Sequence, residues 1–310
     1  MLKTRVLKYI KSLFIGLAVL LLTIICLGYS NIGELDENSK HQFLTIGKEK
    51  IRYYQQGKGK DILLIHGTPG SIEDWKFIMD SLSQNYRVTA FDRLGHGFSS
   101  VNHYNYNIKD NTVLVEKLMN ELNITSPLIV GHSYGGSISA YLAVNSNIKN
   151  AQYIIIDSPL YNYQPNPLYQ VIASPILGKG LATVSSLTIS KKFIQKSLAS
   201  MLEHLPEAQS NKIIEERQTI WNQPKVIYSK SKESSNYGED LDLISKRYST
   251  IDTSITLITG KDANTTFRED CERFHNEVKN TKLILLDNVK HYITVEKPNA
   301  VITVVEDMML

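Results

Sequence analysis

Cysteine is nearly missing from this chain. Only Cys26 and Cys271 occur in 310 residues, and Cys26 falls inside an apolar run near the N-terminus. The remainder holds a single thiol, which excludes an intrachain disulfide within it. There is no H-E-x-x-H and no cysteine pair, so no metal site is expected. No G-x-G-x-x-G follows a strand, and no cofactor is expected either. Acidic residues are absent from the first thirty positions, which contain Lys3, Arg5, Lys8 and Lys11. That asymmetry accounts for the formal charge of +3. Beyond residue 30, thirty basic side chains stand against 31 acidic ones, which leaves −1. A basic surface for nucleic acid is therefore not expected.

What the first thirty residues do have is a basic flank followed by SLFIGLAVLLLTIICLGYS, a stretch without charge. Leu13 to Tyr29 would span about 25 Å as a helix, against a hydrocarbon core of about 30 Å. Lys8 and Lys11 can lengthen the effective span by snorkelling. Gly28 and Ser30 are the small residues that signal-peptide cleavage after Ser30 would need, but the apolar run is longer than a usual signal core. A retained anchor at the cell membrane is the leading expectation, and secretion after cleavage is the alternative. Either way the basic flank stays inside and the rest is exported.

Residues 31–40 are polar and read as a linker. From residue 41, short apolar runs alternate with amphipathic ones. HQFLTIG and KIRYYQQG form two strands meeting at Gly47, and DILLIHG, RVTAFD, PLIVG and QYIIIDSP follow as strands separated by helices. The rhythm stops after Pro159 and resumes with SITLITG and TKLILLDNV. This predicts an α/β fold with a mainly parallel, eight-stranded sheet flanked by helices. Segments 41–159 and 246–310 make the core, and 160–245 is a helical cap inserted after the sixth strand.

The sequence GHSYG at 131–135 lies between an apolar strand and a helix. A tight strand-to-helix turn lifts Ser133 clear of the sheet, and Gly131 and Gly135 let the two arms pass closely. A serine hydroxyl needs a base to become a nucleophile. His291 follows the last strand, at the sheet edge where active groups of open α/β sheets gather. His275 lies in a helix-like stretch, and His132 inside the turn points away from the serine. A carboxylate should orient the imidazole. Asp262, after SITLITG, is the leading candidate, and Asp157, ending QYIIIDSP, is the alternative. Main-chain N–H groups of Tyr134 and Thr68 would hold an oxyanion, with Gly67 and Gly70 shaping the loop around Thr68.

Four separated motifs, HGTPG at 66–70, DRLGHGFS at 92–99, GHSYGG at 131–136 and the histidine of VKHYITVEKP at 289–298, resemble the α/β-hydrolase fold superfamily. The resemblance covers the chain from about residue 41 onward. It is nearest to the capped branch that includes esterases, lipases and proline iminopeptidases. It implies that Asp92 and Arg93 brace a structural loop, and that residues 160–245 line the substrate pocket. HGTPG lacks the extra glycine of the iminopeptidase loop. Epoxide hydrolases and haloalkane dehalogenases of this fold carry Asp at the elbow, where this chain has Ser133. The expected activity is carboxylic ester hydrolysis of a small or moderately hydrophobic substrate, by a Ser-His-Asp triad through an acyl-enzyme. Acyl transfer on the same groups, or an idle ligand-binding module, are the alternatives. The sequence carries no signal for an oligomeric state.

Overall fold

The computed structural model describes all residues except Met1, 102–104, 146–147, Asn162 and Asn264, with side chains from Lys8 onward. The first element, α1 (Leu2–Leu27), is basic in its first turns and carries no charge after Lys11. Within it Lys8–Leu27, 20 residues, is the one helix among those described that is long and apolar enough to cross a membrane. No residue of that stretch is fully buried, although Ile24, Ile25 and Leu27 at its end are half-buried against the rest of the chain.

The sheet begins with a hairpin, β1 (Gln42–Ile46) and β2 (Glu49–Gln56), turned at Gly47, whose φ of +64° suits a residue without a Cβ. Then come β3 (Asp61–Ile65), α2 (Lys76–Leu82), β4 (Arg87–Phe91), α3 (Ile108–Glu121), β5 (Leu128–His132), α4 (Tyr134–Asn145) and β6 (Gln152–Ile156). Five helices follow without a strand: α5 (Pro167–Ile172), α6 (Gly178–Thr188), α7 (Ser190–Met201), α8 (Glu207–Trp221) and α9 (Pro224–Ser245). The chain closes with β7 (Ile255–Gly260), α10 (Thr265–Glu277), β8 (Thr281–Leu286), α11 (Ile293–Glu296) and α12 (Pro298–Met309). Eight strands form one sheet in the order β1-β2-β4-β3-β5-β6-β7-β8. The β1–β2 and β2–β4 pairs are antiparallel and all others parallel.

Both faces of the sheet are covered, which is why its inner strands are continuous apolar runs rather than alternating ones. Every residue of β3, β5 and β7 is buried. Leu63, Ile65, Ile129 and Ile155 pack on one side against Leu118, Ile138 and Phe274 of α3, α4 and α10. Ile62, Leu64, Val130 and Ile154 pack on the other against Ile78 and Leu82 of α2 and Val301 and Val305 of α12.

The strandless interval was legible, but its longest helix was not. The α9 sequence is rich in Ser and Lys and has no clean apolar stripe, because its buried face mixes Val226, Tyr237 and Leu241 with Ser229, Ser231, Glu233 and Ser234. The polar stretch after α1 is not a free tether either. Leu35 N–H donates to Gln223 Oε1 at 3.1 Å, and Glu34 Oε1 accepts from Lys225 N–H at 2.7 Å.

Candidate active site

Ser133 occupies the turn between β5 and α4 with a φ of +54°, a left-handed conformation costly for a residue with a Cβ. Crowding enforces it. A Cβ on Gly131 would lie 2.2 Å from the Gly135 carbonyl oxygen, and one on Gly135 would lie 2.0 Å from that of Ile65. The strand, the turn and the helix therefore pass at backbone contact. Ser133 N–H donates to Ile156 O at 2.9 Å, which ties the turn to the neighbouring strand.

Strand register then levels three residues. Gly131 of β5 stands beside Ile65 of β3 and Ile155 of β6. Two residues further along, Gly67, Ser133 and Asp157 emerge together at the carboxyl edge. The fit is close: a Cβ on Gly67 would lie 2.9 Å from Ser133 Cβ. Asp157, like Ser133, has a positive φ, +41°. It is buried, and Thr259 Oγ1 donates to its Oδ1 at 2.5 Å.

The other oxygen of Asp157 meets His291. Nδ1 of the imidazole lies 2.6 Å from Asp157 Oδ2. The expected pairing with Asp262 is not what the structure contains. Asp262 follows the end of β7 in an exposed turn and makes no hydrogen bond to His291 among the described residues. It lines an outer recess of about 350 Å³ that also reaches Ser133 and His291. The reason is topological: β6 adjoins β5 directly, whereas β7 is one strand further out.

His275 and His132 have structural partners. His275 Nδ1 pairs with Thr281 Oγ1 at 2.8 Å on α10. His132 is buried, donates from Nε2 to the His291 carbonyl at 2.8 Å, and lies against the His291 ring with centroids 4.8 Å apart. Burial and the neighbouring His291 push its pKa down to about 3, so it stays neutral. Ser133 Oγ makes no hydrogen bond with a described residue.

The loop 66–70 is held from below. Arg93 donates to the carbonyl oxygens of His66 at 3.2 Å and Gly67 at 2.9 Å, and its own N–H reaches His66 Nε2 at 2.9 Å. Arg93 is fully buried and ion-paired to Glu233 of α9 at 2.5 Å. Burial, with Arg93 adding to it, keeps His66 neutral. Asp92 accepts from Ile72 N–H at 2.9 Å and Phe98 N–H at 2.8 Å and pairs with Arg52 at 2.9 Å. The motif 92–99 is thus a braced loop. Thr68 lines the cavity, and its main-chain N–H donates to none of the described residues.

Above Ser133 and His291 lies a cavity of about 320 Å³, walled by Leu168, Ile172, Ile189, Phe193, Trp221 and Val226 of α5 to α9. A second buried arginine anchors this helical wall. Arg217 of α8 donates from Nε to Asp74 Oδ1 at 2.8 Å and to Tyr292 Oη at 3.0 Å, while Tyr292 Oη also donates to Asp74. Tyr292 directly follows His291, so the same cluster steadies the histidine's loop. Neither Arg217 nor Glu233 was predicted from sequence; a buried charge inside a helix of mixed composition resembles any surface charge until its partner is known.

A family model for the alpha/beta hydrolase fold matches residues 61–180. The chain has the α/β-hydrolase fold. It is 36% identical over 115 residues to a dihydrolipoyllysine-residue acetyltransferase component of an acetoin cleaving system from Cupriavidus necator, a match covering 37% of this chain and 31% of that protein. The chain thus spans about a third of that relative's length. Among solved structures it resembles an epoxide hydrolase at TM-score 0.73 and 21% identity, covering 86% of this chain and 97% of the other. An enol-lactonase from Burkholderia xenovorans superposes at TM-score 0.71 and 16% identity, with 86% and 99% covered. At such identities the likeness is one of fold.

Proposed function

We propose that this chain is a serine hydrolase of carboxylic esters, working through an acyl-enzyme, with Ser133 as nucleophile, His291 as general base and Asp157 as the orienting acid. The observation that carries the reading is the 2.6 Å contact between His291 Nδ1 and Asp157 Oδ2, in a cavity shared with a serine held at φ +54°. A carboxylate at Nδ1 fixes the tautomer that leaves Nε2 able to accept a proton. His291 takes the Ser133 proton as Oγ attacks the ester carbonyl. The N–H groups of Thr68 and Tyr134 hold the oxyanion, each donor contributing about 10²–10³ in rate. His291 then returns the proton to the departing alkoxide, a water activated by the same imidazole attacks the acyl-enzyme, and the acid leaves. The helices between β6 and β7 act as a cap that selects an apolar acyl or alcohol portion.

Asp157 thereby takes the role expected of Asp262. A serine at the elbow disfavours epoxide opening of the kind named for the epoxide hydrolase neighbour, since an alkyl-enzyme ester there needs a carboxylate nucleophile. The enol-lactonase neighbour is named for cleaving an ester, which accords with the reading. We further read α1 as a retained membrane span, on the strength of its length and composition.

The test is labelling of the full chain by a fluorophosphonate probe, followed by turnover of p-nitrophenyl esters of increasing acyl length. The native protein is expected to label and turn over, and Ser133→Ala to do neither. Labelling that survives in Ser133→Ala would assign the nucleophile elsewhere.

A further inference from the structure

We infer that the face formed by α5, α6 and α7 rests on the surface of an anionic lipid leaflet, and that the cavity receives an amphiphilic ester directly from that leaflet. This rests on the preceding reading of α1 as a span and of the cavity as an ester-hydrolase site, and adds where the substrate resides.

The first observation is a rigid joint. A Cβ on Gly180 of α6 would lie 1.7 Å from the Ile24 carbonyl oxygen, and one on Gly28 would lie 2.7 Å from Gly180 N. Thr183 Oγ1 donates to Leu27 O at 3.4 Å. The end of α1 is therefore locked to α6 backbone to backbone, with no length of chain between span and cap. Ile24 sits three residues before the end of Lys8–Leu27, so α6 crosses within about 5 Å of the end of the span. If the span fills the hydrocarbon core, α6 lies at headgroup depth.

The second observation is what α6 and its neighbours expose. Gly180, Thr183, Val184 and Leu187 share one helical face by their spacing. The first two touch α1. Val184 and Leu187 carry the same face onward, and both are exposed. After residue 32, seven of the thirteen large exposed apolar side chains among the described residues lie between 168 and 193: Leu168, Val171, Ile176, Val184, Leu187, Ile189 and Phe193. A water-facing cap would not gather them there.

Continuity with the cavity is the third. Leu168, Ile189 and Phe193 are exposed and also line the cavity above Ser133. Exposed apolar residues are thus found both on α6 beside α1 and at the cavity mouth. Charge is the fourth. Residues 158–202 contain Lys179, Lys191, Lys192 and Lys196 and not one Asp or Glu. An apolar face fringed only by lysine matches an anionic headgroup layer. An ester whose alkyl part lies in the leaflet would slide into this mouth without crossing water.

The experiment uses the full chain with Cys26→Ser, reconstituted in nanodiscs of phosphatidylcholine and phosphatidylglycerol. Cys271 is fully buried and is left in place. Single cysteines at Phe14, Ile176, Leu187 and, as a distant exposed control, Val113 carry an environment-sensitive fluorophore. Quenching by nitroxide-bearing lipid is the readout. Quenching at Phe14, Ile176 and Leu187 but not at Val113 is expected. Quenching at Phe14 alone would overturn the leaflet contact while leaving the span intact. No quenching at any of the four would show that α1 does not insert, and the inference falls with it. A blue shift at Leu187 without lipid quenching would mean burial against protein, such as a second copy, and also overturns it.

A kinetic arm separates the enzymatic reading. Val184→Glu with Leu187→Glu, two residues outside the cavity, is expected to slow hydrolysis of a long-chain ester embedded in the nanodisc by about tenfold or more. Turnover of soluble p-nitrophenyl acetate should remain at the native level. Equal effects on both esters would refute delivery from the leaflet. Failure of the native protein on both, with the quenching pattern as expected, would sink the ester reading and with it delivery of an ester, while leaving the membrane contact standing.

Discussion

His291 Nδ1 and Asp157 Oδ2 stand 2.6 Å apart although 134 positions separate them in the chain. Two adjoining strands, β5 and β6, bring Ser133 and Asp157 to the same level, and the loop after β8 returns His291 to both. Of the two carboxylates that the sequence left in competition, the one in contact with His291 is Asp157.

That choice has a kinetic consequence. Asp157→Asn should cut kcat on p-nitrophenyl acetate by about 10⁴, because the amide presents the wrong hydrogen-bonding face to the imidazole. Asp262→Asn should leave turnover near the native level. Steady-state assays on the two variants check this, and an equal loss in Asp262→Asn would return the acid to the turn after β7.

The approach of Gly67 to Ser133 predicts a second loss. Gly67→Ala would set a methyl 2.9 Å from Ser133 Cβ, against a neighbour fixed by the strained turn. The loop must retreat, carrying the Thr68 N–H away from the forming oxyanion. A fall in kcat of about 10²-fold or more is expected, with KM changed far less. Thermal unfolding should confirm that the variant is folded. A variant with native kcat would show that Thr68 is not a donor.

Arg217, Asp74 and Tyr292 join the helical wall to the sheet through a buried charge pair. Arg217→Met strands the Asp74 carboxylate without its cation, and destabilisation by about 3–5 kcal/mol is expected in urea unfolding. Adding Asp74→Asn should recover a substantial part of that loss. Single-variant losses that simply summed in the double variant would show that the pair is not coupled.

His132 supplies a pH dependence with a definite sign. Its folded pKa is depressed from 6.5 to about 3 by burial and by His291. The unfolded chain therefore binds a proton between those values that the folded chain refuses. The stability this group contributes is present above pH 6.5 and drains away as pH falls toward 3. Asp240, raised to about 6 by burial, works in the opposite sense, so the whole-protein profile mixes both. Subtraction isolates one group. The unfolding free energy of the native protein minus that of His132→Asn should fall by up to about 1.4 kcal/mol per pH unit below pH 6. A difference independent of pH would mean that the fold leaves the pKa of His132 unshifted.

Much of this was written locally. The inner strands announce themselves as unbroken apolar runs such as ILLI and YIII, since both faces of each are covered. The turn around Ser133 is legible because two glycines and a serine at that spacing meet a steric demand that few other residues satisfy. The rest depends on partners far away in the chain. A helix of mixed composition such as α9 buries Ser229 and Glu233 against Gly95 and Arg93, more than a hundred positions distant, so no local period betrays those two. Arg217 and Glu233 are indistinguishable from solvated charges until Asp74 and Arg93 are set beside them.

The sequence alone determined the α/β alternation, the serine turn, the histidine that closes the last loop and the apolar leader. Each is a property of neighbouring residues, governed by backbone sterics and side-chain period. The tertiary structure alone decided that Asp157 rather than Asp262 meets His291, and that the end of α1 packs against α6. Strand order and helix docking set these distances, and neither is encoded in any short stretch of chain.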